Sequence, residues 1–272
     1  MLFDNFLNAS WFFKLTTLLY VAGLLFFVLA FWRKDTRLRY TATTLIGLAF
    51  AANTAVIAER WVSAERPPFK TLYETLVFYP WCVSAIFFVL LAAYRIFVLG
   101  IFSSSISLTG FLYATSRPDF EIVNLPPALQ SPWFVPHVIT YFIAYSALFA
   151  SCSLAILYLV KQRSEPEKLR FNLEALSNHT LDFGFVALTL GLVMGAFWGK
   201  VAWGNYWSWD PKENWALITW LTYLVAIHLR FIRGWRGKRA AILTIIGFGT
   251  VVFTYLGMNL LPTAETSLHV YQ

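Results

Sequence analysis

Charge is scarce in this sequence: 13% of its 272 residues are Asp, Glu, Lys or Arg, whereas 58% are hydrophobic and the mean hydropathy is positive. That balance excludes a soluble domain with an ordinary charged surface, because the chain repeatedly carries apolar runs of about 20 residues, the length that crosses a bilayer. Cysteine is scarcer still. Cys82 and Cys152 fall inside apolar runs far apart in the chain, so neither a CxxC redox pair nor a disulfide framework is available, and both read as small core residues. Internal repeats and low-complexity tracts are missing too, which removes the signature of transporters built from two matched halves. The first apolar run, 11–32, has no basic leader and no small-residue cleavage site behind it; it is too long for a signal peptide and is expected to stay as a span.

What remains is a set of eight apolar segments closed by polar or Pro/Gly-bearing connections: 11–32, 41–58, 75–97, 99–115, 138–160, 180–200, 215–233 and 240–261. The expected fold class is therefore an all-α integral membrane protein with about eight transmembrane helices, a single polytopic domain over 1–272. Fourteen Lys and Arg residues fall in the connections after spans 1, 3, 5 and 7, against seven on the other side. Cytoplasmic loops collect positive charge, so both termini are expected on the outer, periplasmic or lumenal face. The formal charge of +7 is then a topology signal, and no nucleic-acid partner is expected.

This orientation sends the unusual residues outward. The outer segments are ERWVSAERPPFKTLYET, the loop 116–137 (SRPDFEIVNLPPALQSPWFVPH), the loop 201–214 with WGNYWSWDPKENW, and the tail PTAETSLHVYQ. Two of the four histidines lie at this face: His137 at the mouth of span 5 and His269 in the tail. Neutral imidazoles on either side of a porphyrin plane give a six-coordinate heme, although each histidine alone also fits an exposed interfacial residue. His228 lies thirteen residues into span 7, about 20 Å below the outer end, where an ionisable side chain is a functional candidate by default. It has no evident partner at its depth, so a second axial ligand is expected from another polypeptide. His179, at the cytoplasmic start of span 6, is expected to be a solvated loop residue.

The loop 201–214 holds Trp203, Tyr206, Trp207 and Trp209, with Trp215 just beyond it, more rings than an interfacial aromatic belt needs at one span end. A large, flat, apolar ligand with polar edges fits better. Heme is such a ligand: rings stack along the macrocycle and its two carboxylates seek cations, for which Lys200, Lys212, Arg66 and Lys70 are on the expected side. Asp210-Pro211-Lys212-Glu213 reads instead as a helix start, with Asp210 as N-cap, Pro211 at N1 and Glu213 closing a capping box. These acids are expected to set the angle between loop and span 7 rather than to meet the ligand.

WGNYWSWDPKENWALITWL resembles the tryptophan-rich "WWD" signature of heme-handling proteins, and its DPKE-x-WALITWL continuation is similar to the CcsA (ResC) family of system II cytochrome c assembly proteins. RPPFKTLYET, His137 before the signature, His228 after it and the terminal LHVYQ agree, over about residues 40–272. The resemblance implies that heme b enters near His228, passes outward, and is held at the tryptophan loop between His137 and His269. There its vinyl groups would be joined to the thiols of CxxCH in an apocytochrome c, a holocytochrome c synthase (heme lyase) activity. It further implies a separate CcsB-type membrane subunit, thiol-reducing proteins, and a place in the bacterial inner membrane or the thylakoid membrane. A heme transporter or chaperone without ligation activity is the alternative that the sequence does not separate. An electron-transfer cytochrome is disfavoured, because two of the histidines lie at the surface rather than facing each other inside a bundle.

Overall fold

The computed structural model describes residues 6, 8–117, 121–122, 124–161, 167–232 and 234–257, with 161 and 167–172 by backbone alone. Among the described residues the regular structure is helical. Eight long helices follow one another: α1 Trp11–Arg33, α2 Thr36–Ala64, α3 Leu72–Tyr94, α4 Leu99–Thr115, α5 Phe134–Lys161, α6 Glu167–Trp203, α7 Pro211–Leu229 and α8 Lys238–Tyr255, with a single 3-10 turn at Pro127–Leu129 before α5. Six of them, α1, α2, α3, α5, α6 and α8, are long and apolar enough to cross a membrane. The chain is thus a multi-pass membrane protein. Helix α4 is apolar but has 17 residues, about 26 Å at 1.5 Å per residue. Helix α7 has 19 residues and opens on the polar run Lys212, Glu213 and Asn214.

The largest departure from the expected spans is α6, which begins at Glu167 rather than near residue 180. Charged residues argued for a loop there. However, Glu, Lys, Leu and Arg are good helix formers, and the Gly237 N–H donates to Glu174 Oε1 at 2.7 Å, tying this extension to the start of α8. His179 is consequently an exposed helical residue, not a loop residue. Three residues on, Asp182 is paired with Arg230, just past the end of α7.

The chain divides into two compact units, Met1–Leu125 and Pro126–Gln272. In the first, α1 packs on α2 and α4, and α3 on α4. Phe13, Tyr20 and Phe111 form the ring cluster between α1 and α4, with centroids 4.8 Å and 5.7 Å apart. Tyr20 shares a 3.0 Å hydrogen bond with Ser84, and Asn53 Nδ2 donates to the Val77 carbonyl at 3.2 Å, so polar groups in the apolar interior meet across helices.

The segment between α2 and α3 is built around Glu74, whose side chain is fully buried. Its carboxylate accepts from Arg60 Nε (3.1 Å), Arg66 NH1 and NH2 (3.1 and 3.0 Å), and the backbone N–H groups of Lys70 and Thr71 (2.7 and 3.3 Å). Thr71 Oγ1 in turn caps the Glu74 N–H, completing a capping box. RPPFKTLYET is therefore a folded corner at the head of α3.

In the second unit α5 packs on α6 and α8, and α7 on α8. Ser151 and Ser177 exchange hydrogen bonds with each other's carbonyls at 2.8 and 2.9 Å, joining α5 to α6. Thr219 and Thr254, 2.8 Å apart, join α7 to α8. The starts of α5 and α7 and the ends of α6 and α8 share one end of this unit: Phe134 meets Trp198, Trp215 meets Phe253 and Phe142 meets Tyr255.

Removing the acceptor at the centre of this corner takes the carboxylate away from buried Arg66 and largely buried Arg60. Glu74→Ala is expected to destabilise the protein by about 3–5 kcal/mol. A thermal transition of the purified protein unchanged from wild type would contradict this.

Candidate functional site

Helix α6 carries glycine at every fourth position near its end, Gly191, Gly195 and Gly199, which lines one helical face with backbone alone. Each admits a neighbour that a methyl group would displace. A Cβ on Gly191 would fall 2.6 Å from Tyr141 Cδ2, and one on Gly195 would fall 2.7 Å from His137 Cε1. One on Gly199 would stand 3.2 Å from the Asn205 carbonyl oxygen in the loop beyond α6. The stripe thus seats the first turns of α5 on one side and the start of the tryptophan loop on the other.

His137 sits in the first turn of α5, and its Nδ1 lies 2.8 Å from the Gly191 carbonyl oxygen. A carbonyl only accepts, so Nδ1 carries the proton and the neutral ring has its lone pair on Nε2. Tyr141 meets the imidazole edge-on at 4.8 Å, and Trp198 lies tilted at 5.5 Å. Trp198, itself buried, donates from Nε1 to the Ala128 carbonyl at 2.7 Å and is followed by Trp203 at 4.9 Å. A second ring series runs from Trp133 through Phe197 to Tyr206, at 5.0 and 5.8 Å.

The loop from Trp203 to Asp210 is pinned at both ends. Gly204 takes a left-handed turn (φ +84°), and Lys200 Nζ donates to its carbonyl at 2.7 Å while standing 5.6 Å from the Tyr206 ring. At the far end Asp210 is the N-cap of α7 and accepts from the Lys212 N–H at 2.8 Å. Glu213 accepts from the Ser208 and Asp210 N–H groups at 2.8 and 3.1 Å. Asn214 Nδ2 holds the Trp209 carbonyl at 3.0 Å.

Trp209 adopts φ +58°, a conformation that costs a non-glycine residue on the order of 1 kcal/mol and persists only when neighbours impose it. The reward is exposure: Trp209 is 68% and Tyr206 54% accessible, with Trp207 set against Trp209 edge-on at 6.0 Å. Trp207 Nε1 is buried and has no hydrogen-bond partner among the described residues. Lys212, half-buried, is pushed below the ordinary lysine range by desolvation, with the Asp210 carboxylate opposing that shift.

The structure brings His137, Trp203, Tyr206, Trp207 and Trp209 into the same end of one unit, with Asp210 and Glu213 beneath the loop. His269 lies outside the described residues. His228 is at the other end of α7, the penultimate residue of the helix. Its Nδ1 lies 2.8 Å from the Leu224 carbonyl, so its lone pair too is on Nε2, and the ring is exposed. Leu221, Val225 and His228 follow one another at four- and three-residue spacing on an exposed face.

Among the cations expected near the loop, Lys200 is engaged by Gly204, and Arg66 is locked to Glu74. Sequence reasoning missed Trp198, Tyr141 and the glycine stripe. The G-x3-G-x3-G spacing was the available signal.

Residues 69–264 match the family described as cytochrome C assembly protein. The chain is 32% identical to the cytochrome c biogenesis protein CcsA of Chlorella vulgaris, over 98% of this chain and 96% of that one. It is 33% identical to the CcsA of a Synechococcus species (95% and 97%) and 37% identical to that of Chlamydomonas reinhardtii (84% and 67%). Among solved structures, the cytochrome c heme lyase CcmF superposes with a TM-score of 0.64 over 96% of this chain. At 16% identity that likeness is one of fold, and the chain spans 51% of the CcmF structure's length. With the match running from the Glu74 corner past α8, and relatives aligned nearly end to end, the chain belongs to the CcsA family of cytochrome c assembly proteins and to cytochrome c biogenesis.

Proposed function

We propose that this protein presents heme b at the tryptophan loop for covalent attachment to an apocytochrome c. One observation carries the reading: His137 is held by the Gly191 carbonyl in the tautomer that leaves Nε2 as the basic nitrogen, at the end of the unit where Tyr206 and Trp209 are exposed. A histidine oriented through its other nitrogen is the usual support for a metal ligand. The exposed faces of Tyr206 and Trp209 suit a planar apolar body, and Trp207 Nε1, buried and without a hydrogen-bond partner among the described residues, suits a ligand with acceptors on its edge. His137 and His269 are the two axial ligands in this reading. Both termini and the loop face outward, as the distribution of Lys and Arg supports.

His228 serves an inner site on the same logic. Its ring is tied to its own helix and turned outward along Leu221 and Val225, which supports a second ligand from a CcsB-type membrane subunit in the bilayer. The membrane is then a bacterial inner membrane or a thylakoid membrane, consistent with the cyanobacterial and algal sources of the relatives.

The attachment itself asks little acid–base chemistry of the protein. Each CxxCH thiol adds across one heme vinyl group: a carbon–sulfur bond forms at the ring-proximal vinyl carbon and a proton ends on the distal one. No net oxidation or reduction occurs, so thiol-reducing proteins are needed only to keep the cysteines as thiols. The loop's contribution is to hold the plane still and leave its vinyl edge open, a gain in orientation.

Four outcomes follow. Co-expressed with its CcsB-type partner and an apocytochrome c in a host without other assembly systems, the protein should yield cytochrome with covalent heme. Heme-loaded protein without any covalent product would instead establish transport without ligation. His137→Ala should lower heme content of the purified complex and change its axial-ligand absorption bands; an unchanged spectrum would remove His137 from the iron.

Gly195→Leu, which forces the imidazole out of its seat without touching it chemically, should produce the same spectral change as His137→Ala. A wild-type spectrum for this variant would mean that the glycine stripe does not position the ligand. His228→Ala should reduce heme at the outer site, whereas normal loading there would contradict entry by way of His228.

A further inference from the structure

The interior of the first unit gathers polar side chains at one level. Tyr20 of α1, Asn53 of α2, Ser84 of α3 and Ser107 of α4 are fully buried, each at 0% accessibility. Helices α1 and α3 start, and α2 and α4 end, near the Glu74 corner, where Phe13 stacks on Tyr73 and meets Phe111. Counted from those helix ends at 1.5 Å per residue, the four side chains stand about 12–18 Å into the bundle.

The Tyr20 hydroxyl and Ser84 Oγ are 3.0 Å apart, and Asn53 and Ser107 face the same hydroxyl closely enough to act on it. Yet Asn53 Oδ1 and Ser107 Oγ complete no hydrogen bond among the described residues. Asn53 already gives Nδ2 to the Val77 carbonyl, which only accepts, so Oδ1 is the amide atom that needs a donor. Ser107 departs from its neighbours on α4. Ser104, Ser105 and Thr109 return their hydroxyls to the carbonyls four residues back, at 2.5, 2.7 and 2.9 Å, and Ser107 does not. An acceptor and a hydroxyl that flank a third polar group without closing on it have the arrangement that a bridging water completes, and leaving them bare in an apolar interior is costly.

We propose that Asn53 and Ser107 hold one ordered water beside the Tyr20 and Ser84 pair, and that this water ties α2 to α4 in mid-bundle. It gives one O–H to Asn53 Oδ1 and accepts from the Ser107 hydroxyl. Its other O–H and lone pair serve the Tyr20 and Ser84 hydroxyls, so it has the partners a buried water requires. A small cation is the competing occupant of such a group of oxygens, but its charge would be unmatched. None of the four side chains is ionised, and the buried carboxylate of this unit, Glu74, lies ten residues from Ser84, about 15 Å along α3. A neutral ligand avoids that cost. The site lies in the first unit and is independent of the heme reading, which concerns the second.

The test uses the full chain in lipid nanodiscs. Replacing ordinary water with oxygen-18 water should shift an O–H stretching band in the infrared difference spectrum of wild type, since protein hydroxyls keep their own oxygen and only water responds. Ser107→Val and Ser107→Thr have the same shape and differ in the hydroxyl: the band should be lost from the first and kept in the second. A density map of wild type should show one peak within hydrogen-bond distance of both Asn53 Oδ1 and Ser107 Oγ. Asn53→Leu and Ser107→Val together should lower the thermal midpoint by less than the sum of their separate shifts, because either alone already disconnects the water.

An isotope response in Ser107→Val identical to wild type overturns the proposal, and so do additive thermal shifts. In the map, a direct bond between Asn53 and Ser107 with nothing between them overturns it, as does a peak that grows denser when sodium is exchanged for thallium. Should Ser107→Val fail to fold, the wild-type map and the thallium exchange decide alone.

Discussion

The site depends on one hydrogen bond, from His137 Nδ1 to the Gly191 carbonyl. A main-chain carbonyl of a helix is most open to an outside donor where the side-chain layer is thin, and on α6 that layer is absent at Gly191 and Gly195. The bond does two things. It orients the imidazole, and it decides which nitrogen is basic, since the proton must be on the nitrogen that faces the carbonyl. One ring series at this end of the unit starts from that imidazole: Tyr141 and Trp198 restrict its tilt, and Trp203 continues the aromatic contact toward the loop.

The loop solves a different problem, how to leave large rings exposed without letting them collapse on each other or on the helices. Its answer is to hold the backbone by side chains from outside the aromatic run. Lys200 grips the entry, and Asp210, Glu213 and Asn214 grip the exit, so the left-handed backbone at Trp209 is maintained by the helix that follows. Acids and rings in WGNYWSWDPKENW are therefore parts of one device: the capping box converts the order of α7 into order of the loop.

How far this was legible in the sequence follows from the physics of each signal. Apolar runs are long and redundant, so each of the eight expected segments has a helix. Boundaries failed where a charged helix leaves the apolar stretch, as at Glu167–His179, because charge density alone does not distinguish a solvated helix from a loop. The cap at Asp210 was legible because capping is local. The seat of His137 was not, because its partner is a backbone atom 54 residues away and its permissive residues are glycines, which announce only that something comes close. The cations expected at the loop were narrowed only by contacts: Arg66 belongs to the Glu74 corner, and Lys200 to the loop's own backbone.

The two described histidines of interest share one tautomer and differ in where their acceptor lies, and that difference separates what each can do. His137 is bonded across helices, α5 to α6, so its ring is fixed within a single unit and next to that unit's own aromatic rings. His228 is bonded along its own helix, to Leu224, which leaves its ring pointing off α7 at an exposed, otherwise apolar face. The first arrangement fixes the orientation of its basic nitrogen with contacts from its own unit. The second has a prepared nitrogen with no hydrogen-bond partner for it among the described residues, and in a bilayer an exposed imidazole among Leu and Val is stabilised when another polar partner arrives. On the proposed reading, the ring fixed within its own unit suits the outer site, and the ring turned off its helix suits a site completed by a second membrane protein.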